Sequence, residues 1–207
     1  MVKYNCKSVG IVGAGIQGVC IGLHLLKKKI PVTIFDKEEP GSLCSYGNAG
    51  HFSPYAVLQL NRPDILYNIP KMLFSSNGPL AIKWNYVPKM IPWIFSFIKN
   101  CNTKSMMHTA KYMHQILDPS LEAYEDIFKE FDTTGLVEKK GIIYGWTKEN
   151  LKSRNLEIKV RDDLGIKQTI LSKTEILDLE PNLQPVFDGG VLFDYAWHAR
   201  DPRGITK

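Results

Sequence analysis

Residues 11–18 read IVGAGIQG, and the spacing of Gly13, Gly15 and Gly18 constrains this chain more than any other stretch. The run Ser8–Val12 before it is short, apolar and β-branched, and it ends at glycine. Ile16–Lys29 after it places Ile16, Val19, Cys20, Leu23 and Leu26 at the three-to-four spacing of a helix with one buried face. Val32–Asp36 (VTIFD) is a second β-branched strand. Strand, helix and strand in so short a span make a βαβ unit, which requires a parallel sheet and a right-handed crossover.

The three glycines have separate physical tasks. Gly13 permits the tight turn out of the strand, Gly15 lets backbone approach a pyrophosphate, and Gly18 lets helix and strand pack closely. Phosphates then sit on the unpaired N–H groups and positive dipole end of the helix. Ala14, Ile16 and Gln17 complete that loop and first turn. Asp36 closes the second strand, 18 residues after Gly18, where it can bond a ribose hydroxyl, with Lys37 beside it. The acid disfavours a 2′-phosphate, so NADP is the least favoured nucleotide. The loop alone does not choose between NAD and FAD, and a ligand-free α/β turn is the plainer alternative.

Residues 41–54 (GSLCSYGNAGHFSP) are too rich in glycine, proline and small polar side chains for a packed helix or strand. They suit backbone passing close to a flat ligand, with Ser45 and Asn48 offering hydrogen bonds; an ordinary surface loop is the alternative. Residues 63–131 read as mostly helical. Leu117, Leu121, Tyr124, Phe128 and Phe131 keep helical spacing across a break at Asp118-Pro119. Gly141–Trp146 predicts a strand, residues 148–163 a polar helix and Gln168–Leu171 a strand. Ser172 and Glu175 predict a capping box, and Gly190–Tyr195 a last strand. At the end, Asp201-Pro202 reads as the cap and first turn of a helix, yet only five residues follow Pro202, so the chain reads as truncated.

Charge and cysteine usage narrow the function. The net charge of +5 comes from 26 basic and 21 acidic residues, and the bases are scattered instead of forming a stripe, which argues against nucleic acid. Cys6, Cys20, Cys44 and Cys101 form no C-x-x-C pair, and no apolar leader precedes the first strand, so the chain reads as an intracellular, reduced protein. Met90–Ile98 (MIPWIFSFI) is far shorter than the roughly 17–25 residues of a spanning helix. Burial against another helix is the expectation, and contact with a membrane surface the weaker alternative. No G-x-S-x-G, P-loop or H-E-x-x-H signature is present, and no metal site is expected. His108 and His114 fall on different faces of a helix. None of Arg62, Arg154, Arg161, Arg200 and Arg203 has a context that marks a carboxylate clamp, so no catalytic residue is assigned.

The stretch Val9–Pro54, with its glycine loop, Asp36-Lys37 pair and SYGNAGHFSP, resembles the opening of FAD-dependent oxidoreductases of the D-amino-acid oxidase family. Within that family it is most similar to the small-subunit type of bacterial D-amino-acid dehydrogenase. The likeness continues in order through LAIKWNYVPKMIPWIFSFIKNC, GIIYGWT, LSKTEILDLEPNL and GGVLFDYAWHARDP.

The resemblance implies an α/β fold: a partial Rossmann-like FAD-binding βαβ, a mainly helical segment, and an α+β portion of a substrate domain. Residues 1–55 would open the FAD-binding domain, 56–196 form part of the substrate domain, and 197–207 start the helix that returns to the first. It implies FAD, held non-covalently because His51 is not at an attachment position, with Cys44, Ser45, Asn48, Ala49 and Gly50 along the cofactor. It implies oxidation of an amine, foremost a D-amino acid, by hydride transfer to flavin N5, giving an imine that water hydrolyses to a keto acid and ammonia. Oxygen or a quinone would accept the electrons. The location would be cytoplasmic, or peripheral at the inner membrane. Two other readings stand beside it: a non-catalytic remnant or nucleotide-binding fragment needing a complementing C-terminal chain, and, last, an NAD-dependent dehydrogenase.

Overall fold

The computed structural model describes residues 7–74, 80–148 and 151–207. Cys6, residues 75–79 of the helical stretch and residues 149–150 of the polar helix lie outside the described residues. The fold is α/β, with an N-terminal βαβ element followed by helical and mixed-sheet regions. By internal contacts the chain divides into two units. The first comprises Met1–Ser53, Ser120–Ile142 and Asp194–Lys207, the second Pro54–Pro119 and Ile143–Phe193.

In the first unit, β1 (Val9–Val12) and β2 (Val32–Phe35) pair in parallel, from Val9 opposite Val32 to Val12 opposite Phe35. Helix α1 (Ile16–Lys27) covers one face of the pair. A Cβ added at the buried Gly22 would come within 3.2 Å of Ile34 Cδ1 and 3.7 Å of Ile11 Cδ1, so this glycine sets how closely helix and strands pack. The other face carries Gly10, Val12, Thr33 and Phe35, all exposed; Val12 keeps 92% and Phe35 58% of its surface in solvent. Parallel strands are ordinarily covered on both faces, and here one face is bare.

Helix α1 ends in a Schellman arrangement. The Ile30 N–H donates to Leu25 O at 3.0 Å and the Lys29 N–H to Leu26 O at 2.8 Å. Lys29 occupies the left-handed position (φ 60°) where glycine is usual.

The first unit also holds a three-stranded antiparallel sheet in the order β3 (His51–Phe52), β8 (Trp197–Ala199), β4 (Val137–Glu138). The rings of Phe52 and Trp197 lie against Tyr124 and Phe128 of α5 (Ser120–Phe128), with Phe52 and Tyr124 edge to face at 4.8 Å. The opposite face is polar: His51, His198 and Glu138 stand side by side across the strands, and Arg200 pairs with Glu138 at 2.6 Å. After β8, the Asp201 carboxylate accepts the Gly204 N–H at 2.9 Å and the chain closes in a short 3-10 turn, Gly204–Thr206.

The second unit is built on a three-stranded sheet in the order β5 (Ile142–Trp146), β7 (Gly189–Phe193), β6 (Thr169–Ser172). The predicted last strand is therefore the central one, ends at Phe193 and is followed by β8. Its burial is nearly complete. Phe193 is fully buried and stacks on Tyr55 with ring centroids 3.6 Å apart, and burying such a ring stabilises by about 1.5–3 kcal/mol. Ser172 caps α7 (Lys173–Leu179) in the predicted capping box, with both reciprocal hydrogen bonds present.

The helices of this unit are α2 (Ile65–Phe74), α3 (Val87–Asn100), α4 (Thr103–Leu117) and α6 (Leu151–Asp163). Helix α4 stops at Leu117 and α5 begins at Ser120, so the break falls at Asp118-Pro119 as expected. Helix α3 departs from expectation. None of its residues is fully buried, and Ile91, Trp93, Phe95 and Ile98 are exposed. Its apolar residues are spread around the helix, so no single neighbour covers them.

Candidate functional site: the glycine loop

The loop between β1 and α1 is fixed by four backbone contacts. The Gly13 N–H donates to Phe35 O (2.8 Å), the Ala14 N–H to Asp36 Oδ2 (2.6 Å) and the Ile16 N–H to Ser45 Oγ (3.0 Å). Ala14 O in turn accepts the Gly41 N–H (3.0 Å). Gly13 stands at φ 108°, a conformation closed to L side chains, with open space where its side chain would be. Gly18 answers to space instead, because a Cβ there would overlap the Gly13 carbonyl oxygen. Gly15 is the N-cap of α1, extended and without a capping side chain of its own; a Cβ would press on Ser45 Oγ at 3.3 Å.

Asp36 is exposed and grips the loop with both oxygens, Oδ1 accepting the Glu38 N–H at 3.0 Å. These bonds, the Ala14 one first, hold its carboxyl below the ordinary aspartate range, with adjacent Lys37 adding a smaller contribution. A carboxylate has about four acceptor positions, so it can still receive ribose hydroxyls. At the helix, Ser45 takes the first amide, and those of Gln17 and Gly18 are next among the donors a helix cannot satisfy itself. The Gln17 side chain lines a groove of about 300 Å³ with Cys20 and His24 of α1 and Tyr124 of α5.

The segment after β2 is braced from within. Asn48 donates to Ser45 O (3.0 Å) and accepts the Gly50 N–H (2.7 Å), an Asx turn. Gly50, at φ 68°, lies so close to β8 that a Cβ would stand 2.5 Å from Ala199 O, and its own oxygen accepts the Ala199 N–H at 2.7 Å. Ser45 and Gly50 are buried; Lys37, Cys44, Asn48 and Ala49 are exposed. The structure thus links Gly13, Ala14, Ile16, Asp36 and Ser45 in one network, with Asn48 and Gly50 joined to it through Ser45. Gly41 was not singled out from the sequence, although the turn signal Pro40-Gly41 marks it.

A second cluster went unread. Three arginines converge on one buried carboxylate in the second unit. Glu157 accepts from Arg62, from Arg154 Nη1 at 2.8 Å to each oxygen, and from Arg161 Nη2 at 3.4 Å. Positions 154, 157 and 161 share one face of α6 at i, i+3 and i+4 steps, the available sequence signal.

The exposed acid, the open helix amides and the missing side chain at Gly15 fit the adenosine diphosphate end of a dinucleotide. Comparison with known proteins names it. The family model of FAD dependent oxidoreductases (DAO) matches residues 8–207. A D-amino-acid oxidase from Bradyrhizobium diazoefficiens is 30% identical over 95% of this chain and 47% of its own length, so the chain spans about half of that relative. Among solved structures, a glycine oxidase from Geobacillus kaustophilus aligns at 19% identity and TM-score 0.56, over 96% of this chain and 42% of that one. An L-alpha-glycerophosphate oxidase from Mycoplasma pneumoniae with FAD bound aligns at 18% identity and TM-score 0.53, over 96% and 40%. These two show a shared fold. With the family model covering nearly every residue, the chain belongs to the DAO family of FAD dependent oxidoreductases, and its cofactor is FAD, bound non-covalently.

Proposed function

We propose that the chain is part of an enzyme that oxidises an amine, foremost a D-amino acid, to an imine that water converts to a keto acid and ammonia. The observation that carries this reading is the family match over residues 8–207 on a chain whose glycine loop is held by Asp36. The D-amino-acid preference draws on the name of the 30%-identical relative. When bound, FAD supplies the hydride acceptor. The chain's own residues would receive the cofactor: Gly13, Ala14, Gly15, Ile16, Gln17 and Gly18 its pyrophosphate, Asp36 with Lys37 its ribose. Cys44, Ser45, Asn48, Ala49 and Gly50 would follow toward the ring. Oxygen or a quinone then takes the electrons. Peripheral contact with a membrane, through the exposed Ile91, Phe95 and Ile98 of α3, belongs to the same reading.

The test is the visible spectrum of the purified protein with added FAD. A bound-flavin spectrum bleached by D-alanine but not by L-alanine supports the reading, and bleaching by neither overturns it. Oxygen uptake separates the two acceptors, and flotation with lipid vesicles checks the membrane contact.

A second reading is favoured by the bare face of β1 and β2. On it, the chain is a nucleotide-binding fragment, inactive until a complementing chain covers Val12 and Phe35. Flavin binding without turnover, restored to turnover by such a chain, distinguishes it.

A further inference from the structure

The second unit encloses a cavity of about 210 Å³ with a divided lining. One side is apolar and aromatic, with Tyr55, Tyr144, Trp146 and Val191. The other holds the three arginines and Glu157. Trp146 and Val191 are buried, and the Tyr55 and Tyr144 hydroxyls meet at 3.4 Å.

The charge on the polar side does not balance locally. Three guanidinium groups carry about fifteen N–H donors, whereas one carboxylate offers about four acceptor positions. Arg62 also meets Asp64 at 3.3 Å. Among the described residues, Glu157 is the carboxylate that Arg154 and Arg161 meet. Arg161 is nearly buried, its Nε has no acceptor among the described residues, and the guanidinium lies 5.2 Å from the Phe193 ring. Burial draws its pKa down more than Glu157 restores it, as for a cation short of counter-charge. Arg154 is the most exposed of the three, its side chain keeping 36% of its surface at the mouth.

We infer that this cavity binds a small organic carboxylate, whose anionic end pairs with Arg154 beside Glu157 and whose apolar body lies against Tyr55, Tyr144 and Trp146. Arginine suits the role because its planar fork meets a carboxylate with two parallel hydrogen bonds. Glu157 serves as the positioning residue that holds the guanidinium groups in register. The inference rests on the second unit alone and stands whether or not the flavin reading holds.

Calorimetric titration of the FAD-supplemented protein with benzoate, benzamide and inorganic phosphate tests it. Benzoate is expected to bind about tenfold more tightly than benzamide, the scale of a charge-assisted hydrogen bond. Its affinity is expected to fall with added salt, and phosphate to bind more weakly for want of an apolar body. Arg154→Gln, confirmed folded by circular dichroism, is expected to weaken benzoate about tenfold. Equal binding of benzoate and benzamide, phosphate binding as tightly as benzoate, or an unaffected folded R154Q variant would each overturn the inference. If that variant does not fold, NMR titration of the unmodified protein decides. Benzoate should shift the Trp146 indole and Val191 methyl signals, and shifts confined to other residues overturn the proposal.

Discussion

Asp36 Oδ2 accepts the Ala14 N–H at 2.6 Å, so the acid that closes β2 is bonded to the glycine loop it serves. Asp36→Ala removes that tie and a ribose acceptor together. FAD affinity, followed by quenching of flavin fluorescence, is expected to fall about tenfold, as for loss of a hydrogen bond to a charged group. The folded carboxyl lies below its ordinary range, so its grip is complete above the unfolded value of about 3.9 and is lost as pH falls through the folded one. Asp36→Asn should abolish that acid dependence.

Gly18→Ala places a methyl group on the Gly13 carbonyl oxygen. The loop can yield only by moving α1 off the strands. A loss of about 3 kcal/mol in urea unfolding is expected, the upper range for overpacking, with FAD binding lost as well. Gly10→Ala, whose added carbon would meet only the Phe35 ring at 3.5 Å, is the control expected to be mild.

Lys29 holds a left-handed conformation at the end of α1. Lys29→Gly relieves it and is expected to stabilise the protein by about 0.5–1 kcal/mol after the greater freedom of glycine in the unfolded chain is counted. Thermal unfolding checks this, and Lys28→Gly, at a position with φ −83°, should destabilise instead.

Glu157 is buried, which pushes its carboxyl up, but the Arg62 hydrogen bond and Arg154 charge reverse this and hold it below the usual glutamate range. Its stabilisation is therefore complete above about pH 4.3, the unfolded value, and lost as pH falls through the folded one. Glu157→Gln is expected to cost about 3–5 kcal/mol at neutral pH, as for a buried ion pair stripped of one partner. It should also flatten the acid limb of the stability profile. An unchanged acid limb would show that other carboxylates govern it.

What could be read from the chain beforehand follows from how locally each feature is encoded. The βαβ start, the capping box at Ser172 and the break at Asp118-Pro119 rest on residues within one or two turns of each other, and all appear where expected. Strands β3, β4 and β8 are two or three residues long, too short for alternation to show, and exist because distant segments pair, His51 with His198 and Val137 with Ala199. The arginine cluster was half legible. The α6 spacing marks Arg154, Glu157 and Arg161, but Arg62 arrives from 95 residues away. Helix α3 misled because an apolar run predicts burial only if something covers it.

The Ser45 hydroxyl on the Ile16 N–H has a consequence for timing. A buried serine already occupies the first amide of α1, so the loop holds its binding geometry with a stand-in acceptor of its own. An arriving phosphate oxygen would exchange places with a hydroxyl and find the backbone already ordered. The ordering entropy is then spent when the chain folds and not when the ligand lands, which favours fast capture of the nucleotide over slow adjustment around it.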